Sequence, residues 1–272
     1  MGNAMTIDFD DRYANASYIQ NADAFITRWT QSAAEFRDAA LARGAAELDV
    51  PYGGSDGGSD RQCYDLFEPE QPAGGTMIFV HGGYWLRFDK SFWSHLAQGA
   101  LDRGWRVVMP SYDLCPTVSI AQITQQISQL TQQIAARFSG PLSLTGHSAG
   151  GHLVARMGQV LPADITARIA HIAPISPVGD LRELIHTKMN DDFALTPDAA
   201  ALESPLLHPA PSVPVSVLVG GDERPVFLEQ ARAFGPQWGA QVMIADHRHH
   251  FDVIDALCDP NSDVTRALTH IG

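Results

Sequence analysis

The segment Gly146-His147-Ser148-Ala149-Gly150-Gly151 places a G-x-S-x-G pattern between two kinds of structure. Before it, Leu142 and Leu144 belong to a short strand-like run; after it, His152 to Leu161 can wind as a helix. A serine on so tight a strand-to-helix turn has its hydroxyl pushed out of the fold, where a substrate can reach it. Glycines at 146 and 150 leave room for the strained turn. Ala149 opens a helix, so its backbone N–H has no intrahelical partner. Ser148 is therefore a candidate nucleophile, on a turn that only a sheet strand followed directly by a helix supplies.

The rest of the chain supplies such strands and helices in alternation. Apolar positions at helical spacing (Ile19, Ala22, Phe25, Ile26, Trp29) and an Ala-rich stretch predict one or two helices over 17–43, ending near Gly44. Two strands over 46–52 and 61–67 follow, joined by a glycine- and serine-rich turn at 53–60. A strand over 76–80 precedes a helix over 90–103, a strand over 105–110 and a Gln-rich helix over 119–138. In that helix Ile123, Ile127, Leu130 and Ile134 recur at three- and four-residue steps, an amphipathic pattern and not low complexity. Strands over 141–145, 168–175, 215–220 and 240–245 follow, with helices over 226–238, 251–258 and 262–270. The pattern describes one α/β domain over 1–272, with a mostly parallel central sheet, helices on both faces and an antiparallel opening edge. Residues 179–212 interrupt it with several prolines and short helical runs. They are expected to form a small helical insertion, a cap above the C-terminal ends of the strands, before the acid-bearing strand.

Composition narrows the function. A formal net charge of −13 argues against nucleic acid or an anionic membrane surface as partner, leaving a small-molecule substrate. Three widely spaced cysteines, Cys63, Cys115 and Cys258, give neither a disulfide framework nor a metal spacing, which points to a reducing, cytoplasmic setting. No run of apolar residues is long enough for a transmembrane helix, and no secretory signal is evident. Met1–Ala4, ahead of Met5, read as an expression scar and are set aside.

Acyl transfer by a serine needs a base, a group that orients the base, and donors for an oxyanion. His81-Gly82-Gly83-Tyr84-Trp85 directly follows the 76–80 strand, and its glycines let backbone N–H groups approach a substrate oxygen. Gly82, Gly83 and Ala149 are the candidate oxyanion donors. The base is expected after the last strand, where Asp246-His247-Arg248-His249-His250-Phe251-Asp252 offers three histidines. His250, next to the final helical stretch, is the choice; His247 and His249 are expected at the pocket rim. A zinc cluster there is disfavoured, because adjacent loop histidines do not easily converge on one ion. The orienting acid should follow the 215–220 strand; Asp222 is preferred to its neighbour Glu223 because it directly follows a glycine-rich turn.

With these residues in hand, the chain resembles the kynurenine formamidase (arylformamidase) branch of the α/β-hydrolases, near the hormone-sensitive-lipase-like esterases. The matching pieces are His81-Gly82-Gly83-Tyr84-Trp85, Tyr112-Asp113-Leu114-Cys115-Pro116, Gly146 to Leu153, Gly221-Asp222-Glu223 and His250-Phe251-Asp252. The resemblance implies an α/β-hydrolase fold, Ser148, Asp222 and His250 as catalytic triad, and no metal or organic cofactor. It further implies hydrolysis of N-formyl-L-kynurenine to kynurenine and formate, a step of tryptophan catabolism. For such a substrate, Tyr84 and Trp85 are candidates to stack on the aromatic leaving group, and Arg87, Arg224 and Arg248 are candidate partners, by position, for its carboxylate. A small-molecule carboxylesterase or thioesterase is the alternative, and a non-catalytic ligand-binding member of the fold a third reading.

Overall fold

The structure, a computed structural model, describes residues 7–53 and 58–270. Met1–Ala4 and part of the glycine-rich 53–60 turn lie outside the described residues. The strands are β1 (Ala46–Pro51), β2 (Cys63–Phe67), β3 (Thr76–Val80), β4 (Arg106–Pro110), β5 (Leu142–His147), β6 (Ile169–Ile175), β7 (Ser216–Gly220) and β8 (Gln241–Ala245). They form one sheet in the order β1-β2-β4-β3-β5-β6-β7-β8. The β1–β2 and β2–β4 pairs are antiparallel, and every pair from β4–β3 to β7–β8 is parallel. The antiparallel opening edge and the parallel remainder agree with the sequence pattern.

The central strands are apolar on both faces because helices cover both. Along β3, Ile78 and Val80 join one buried cluster and Met77 and Phe79 join another. The first cluster is completed by α4 (Ile120–Arg137), α5 (Ala149–Val160) and α9 (Pro225–Trp238), with one residue each from α7 (Asn190–Phe193) and α8 (Pro197–Glu203), whereas α1 (Phe9–Arg12), α2 (Ala22–Ala42), α3 (Gln98–Asp102), α6 (Ala163–Thr166) and α10 (Asp263–Leu268) contribute no buried residue to it. The second cluster holds Trp29 of α2 and Val264 and Leu268 of α10. Helix α4 starts at a capping box: Gln122 N donates to Ser119 Oγ (3.3 Å), and Ser119 N donates to Gln122 Oε1 (2.8 Å). Its buried face is the predicted stripe of Ile123, Ile127, Leu130 and Ile134. Ile127→Ala should cost about 2–5 kcal/mol, read as a lower urea midpoint, since the side chain is enclosed by the sheet-facing core.

Two expected helices are broken up. The 90–103 stretch forms 3-10 turns at Lys90–Phe92 and Ser94–Ala97 and then the short α3. Trp93 leaves helical geometry (φ −124°) to pack its ring 4.7 Å from that of Trp29, and this tertiary contact outweighs local helical preference. Near the C-terminus, Val253–Cys258 is a 3-10 helix where an α-helix was expected over 251–258. The 179–212 insertion holds a 3-10 turn at Arg182–His186, α7, α8 and a second turn at Pro205–Leu207. Its Leu184, Phe193 and Ala200 are buried in the first core cluster.

Candidate active site

Parallel pairing brings the C-terminal ends of β3, β5, β6, β7 and β8 to one edge, where open α/β sheets carry their sites. Val80 pairs with Gly146 and His147 with Ile175, so the His81-Gly82-Gly83 loop and the Ser148 turn emerge side by side. Ser148 adopts φ 55° and ψ −113°, a left-handed, strained conformation for a residue with a side chain. Ser148 N donates to Ile175 O (2.8 Å), and its carbonyl accepts from His152 N (3.0 Å) to start α5. The turn closes only over glycine: a Cβ on Gly150 would stand 2.0 Å from Val80 O.

The loop after β3 lies against this turn. A Cβ on Gly82 would come within 3.2 Å of Ser148 Cβ, and Gly83 has a φ of 111° that favours glycine. Among the described residues, the N–H groups of Gly82 and Gly83 donate to no backbone carbonyl. Ala149 is the first residue of α5, with the uncommitted N–H of a helix start. The loop itself is tied down from behind. Tyr112 Oη donates to His81 O (2.8 Å), and the two rings stack 4.3 Å apart.

His250 is buried between two rings, Phe227 at 4.4 Å and His147 at 4.6 Å. Its Nδ1 lies 2.6 Å from Glu223 Oε2. The Glu223 side chain is 0% exposed. Its other oxygen accepts from Gly220 N (2.8 Å) and from the Ser176 hydroxyl. The carboxylate is thus held on three sides and can fix both the tautomer and the plane of the His250 ring.

The expected acid, Asp222, does not meet His250. Asp222 N donates to Arg248 O (2.9 Å), which turns its own side chain outward to solvent. Glu223, one residue on, folds back under the strand end, and its extra methylene lets it span to His250. Glu223 therefore replaces Asp222 as the histidine's partner. The flanking histidines also divide: His247 is exposed, and His249 contacts Asp252 (3.2 Å) and the edge of Phe25.

Ser148 and His250 line one cavity of about 320 Å³. Gly83, Tyr84, Arg87, Phe88, Trp93, His147 and Phe251 belong to its wall. Trp85 does not. It is 0% exposed, stands edge-on to His152 and Phe193, and its carbonyl accepts from Cys115 N. Positive φ at both Tyr84 and Trp85 reverses the chain there, leaving Tyr84 at the cavity and sending Trp85 into the core. The expectation of a substrate contact for Trp85 is corrected accordingly. Trp85→Ala should cost about 3–5 kcal/mol in chemical denaturation, through loss of packing.

Most of the cavity's roof comes from a segment that sequence reasoning did not assign to the site. Tyr13, Ala14, Asn15, Ala16 and Ser17, followed by Ala22, Asp23, Ile26 and Trp29 of α2, line it, whereas the 179–212 insertion contributes Met189. The segment is clamped by consecutive charged residues that reach different elements. Asp10 Oδ1 accepts from Lys188 N (2.7 Å), Asp11 pairs with Arg224 (2.8 Å), and Arg12 pairs with Glu183 (2.9 Å) and with Glu229. Tyr13 Oη donates to Glu183 (3.0 Å), while its carbonyl accepts from Tyr84 Oη (2.6 Å). The run Asp8 to Arg12 was the available signal, since such a charge cluster ahead of a helix needs partners elsewhere. These pairs are partly exposed, so each is worth little alone. Arg12→Met, which loses two of them, should raise KM several-fold with kcat nearly kept, in steady-state kinetics on a p-nitrophenyl ester.

Several buried or half-buried histidines are held neutral. Burial pushes His81, His95 and His152 down to about 4, and His147 falls well below its ordinary value through burial and the neighbouring His250. In the unfolded chain each would titrate near 6.5. Between about 6.5 and 4 the unfolded state binds more protons, so these groups make stability fall as the pH falls. The urea midpoint should be clearly lower at pH 5 than at pH 7; an equal midpoint would contradict the assignment.

A serine on a strained strand-to-helix turn, an imidazole bonded to a buried carboxylate and a glycine loop with uncommitted backbone donors are groups that can support nucleophilic acyl transfer. On this sheet they define the α/β-hydrolase class, and the chain belongs to the α/β-hydrolase fold family, whose model matches residues 77–214. Among relatives, a kynurenine formamidase of Drosophila melanogaster is 29% identical over 238 residues, spanning 79% of this chain and 79% of its own. A kynurenine formamidase of Salmo salar is 29% identical over 252 residues, spanning 84% of this chain and 83% of its own. Among solved structures, a Silicibacter protein provisionally designated a thioesterase superposes with a TM-score of 0.92 at 49% identity, covering 97% of this chain and 100% of that one. Esterase B of Lactobacillus rhamnosis shares the fold at 18% identity, with a TM-score of 0.65 over 90% of this chain and 93% of its own. Among the described residues, no helix is long and apolar enough to cross a membrane.

Proposed function

We propose that this hydrolase acts through Ser148, His250 and Glu223, and that its reaction is the deformylation of N-formyl-L-kynurenine to kynurenine and formate. The observation that carries the reading is the buried Glu223–His250 pair, whose His250 lines the same cavity as Ser148 on its strained turn. Ser148 Oγ attacks the formyl carbon while His250 takes its proton. The resulting oxyanion is held by N–H groups of Gly82, Gly83 and Ala149, an arrangement worth on the order of 100- to 1,000-fold per donor. His250 returns the proton to the aryl nitrogen as the C–N bond breaks, leaving a formyl ester on Ser148. Water, deprotonated by His250, then attacks that ester, releasing formate and the free serine. Side chains and backbone supply every step. The aromatic wall of Trp29, Tyr84, Phe88 and Phe251 suits an aryl leaving group, and the names of the two relatives support the formamide.

A second reading, thioester or ester hydrolysis on the same residues, is favoured by the designation of the 49%-identical Silicibacter protein. Measuring kcat/KM on N-formyl-L-kynurenine, p-nitrophenyl acetate and a short acyl thioester, with Ser148→Ala as control, separates the two. Deformylation is expected to exceed the other rates and to vanish in the variant. Ser148-dependent thioester or ester turnover with negligible deformylation would overturn the formamidase reading and keep the mechanism.

A further inference from the structure

Sequence spacing left Arg87, Arg224 and Arg248 open as partners for a charged substrate, and the structure separates them. Arg224 is committed to Asp11 (2.8 Å) and lies 3.6 Å over the Tyr18 ring. Arg248 points to Asp252 (3.4 Å), outside the cavity that holds Ser148. Arg87 lines that cavity and forms no ion pair among the described residues; its guanidinium sits 5.9 Å from the centroid of Phe88, itself part of the wall. No other cation lines the cavity among the described residues, in a chain of net charge −13. Asp23 of α2 also lines the cavity, and its carboxylate has no side-chain partner among the described residues.

We propose that Arg87 determines specificity by binding a carboxylate on the leaving group, and that Asp23 receives an ammonium on the same tail. The site then selects substrates whose aryl leaving group ends in an α-amino acid. This rests on the proposed serine mechanism and names the substrate class it serves. A guanidinium forms charge-assisted, two-point hydrogen bonds with a carboxylate, and in an acidic protein an exposed cation on the cavity wall also draws anions inward. Binding at a tail remote from the reacting carbon is shared by ground and transition states, so its loss should appear in KM.

The test compares wild type, Arg87→Met, Arg87→Lys and Asp23→Asn on two matched pairs. One pair is N-formyl-L-kynurenine and formanilide; the other is 3-(4-acetoxyphenyl)propionate and phenyl acetate. The ratio of kcat/KM, tailed over tailless, is the readout. In Arg87→Met the ratio should fall roughly 10- to 100-fold for both pairs, through KM, with partial recovery in Arg87→Lys. Asp23→Asn should lower it for the formamide pair, whose tail carries the ammonium, and not for the propionate. If neither formamide is cleaved but the ester ratio still depends on Arg87, the formamidase reading fails and the carboxylate site stands. A ratio indifferent to Arg87 in every pair that turns over would overturn the proposal.

Discussion

Ser148→Ala should lower kcat on any substrate of this protein by about 10⁴- to 10⁶-fold while leaving the chain folded. The size follows from what is removed. Without the hydroxyl no acyl ester can form, and only the oxyanion donors and binding remain to assist direct attack by water. Folding should survive because the turn depends on backbone features that alanine keeps. Ser148 N still donates to Ile175 O, and the close approach of Gly150 to Val80 O is untouched. Alanine also tolerates φ 55° about as well as serine, so strain in the turn is unchanged. Activity traces should therefore collapse while circular dichroism and the urea midpoint stay near those of the parent. Retention of more than a few percent of kcat would show that the acyl group is carried elsewhere.

Glu223→Gln should lower kcat about 10³- to 10⁴-fold, and Asp222→Asn should change it little. Glu223 Oε2 faces His250 Nδ1 at 2.6 Å, so the ring must present a proton there and keep Nε2 free as the base. An amide in that place can offer its own N–H to Nδ1, which favours the other tautomer and puts the ring proton where the base is needed. It also removes the charge that stabilises the imidazolium formed during attack. Structurally the change is mild, because the amide oxygen can still accept from Gly220 N and Ser176. Asp222 serves as the internal control. It adjoins Glu223 in sequence, carries the same charge and is exposed. The reverse outcome, a crippled Asp222→Asn beside an active Glu223→Gln, would return the role to the residue that the glycine-turn pattern favoured.

How far the chain could be read in advance depended on the range of the interactions involved. Ser148, the Gly82-Gly83 loop and the strands that present them are legible because strand, turn and helix follow one another within a few residues. The same holds for α4, whose apolar spacing and capping box are local. The choice between Asp222 and Glu223 was not local. It turns on where the Asp222 N–H goes, and its acceptor is Arg248 O on the loop that carries His250. Trp85 was misplaced for a related reason: its direction depends on two successive positive φ angles, which side-chain types other than glycine do not announce. The roof of the cavity was illegible for the opposite reason, distance along the chain. Arg12 meets Glu183 across 171 residues and Asp11 meets Arg224 across 213, pairings that no pattern within either segment encodes. The 179–212 insertion was located correctly as a break in the alternation, yet most of its apolar residues go to the core and Met189 reaches the cavity.

The central claim is that Ser148 accepts the acyl group, and the most direct measurement is the site of attack by a fluorophosphonate followed to completion by peptide mass spectrometry. The account predicts one adduct per chain, on the peptide containing Ser148, forming in step with loss of turnover. It also predicts much slower labelling in Glu223→Gln. A label on another residue, or full turnover remaining in a chain labelled at Ser148, would contradict it.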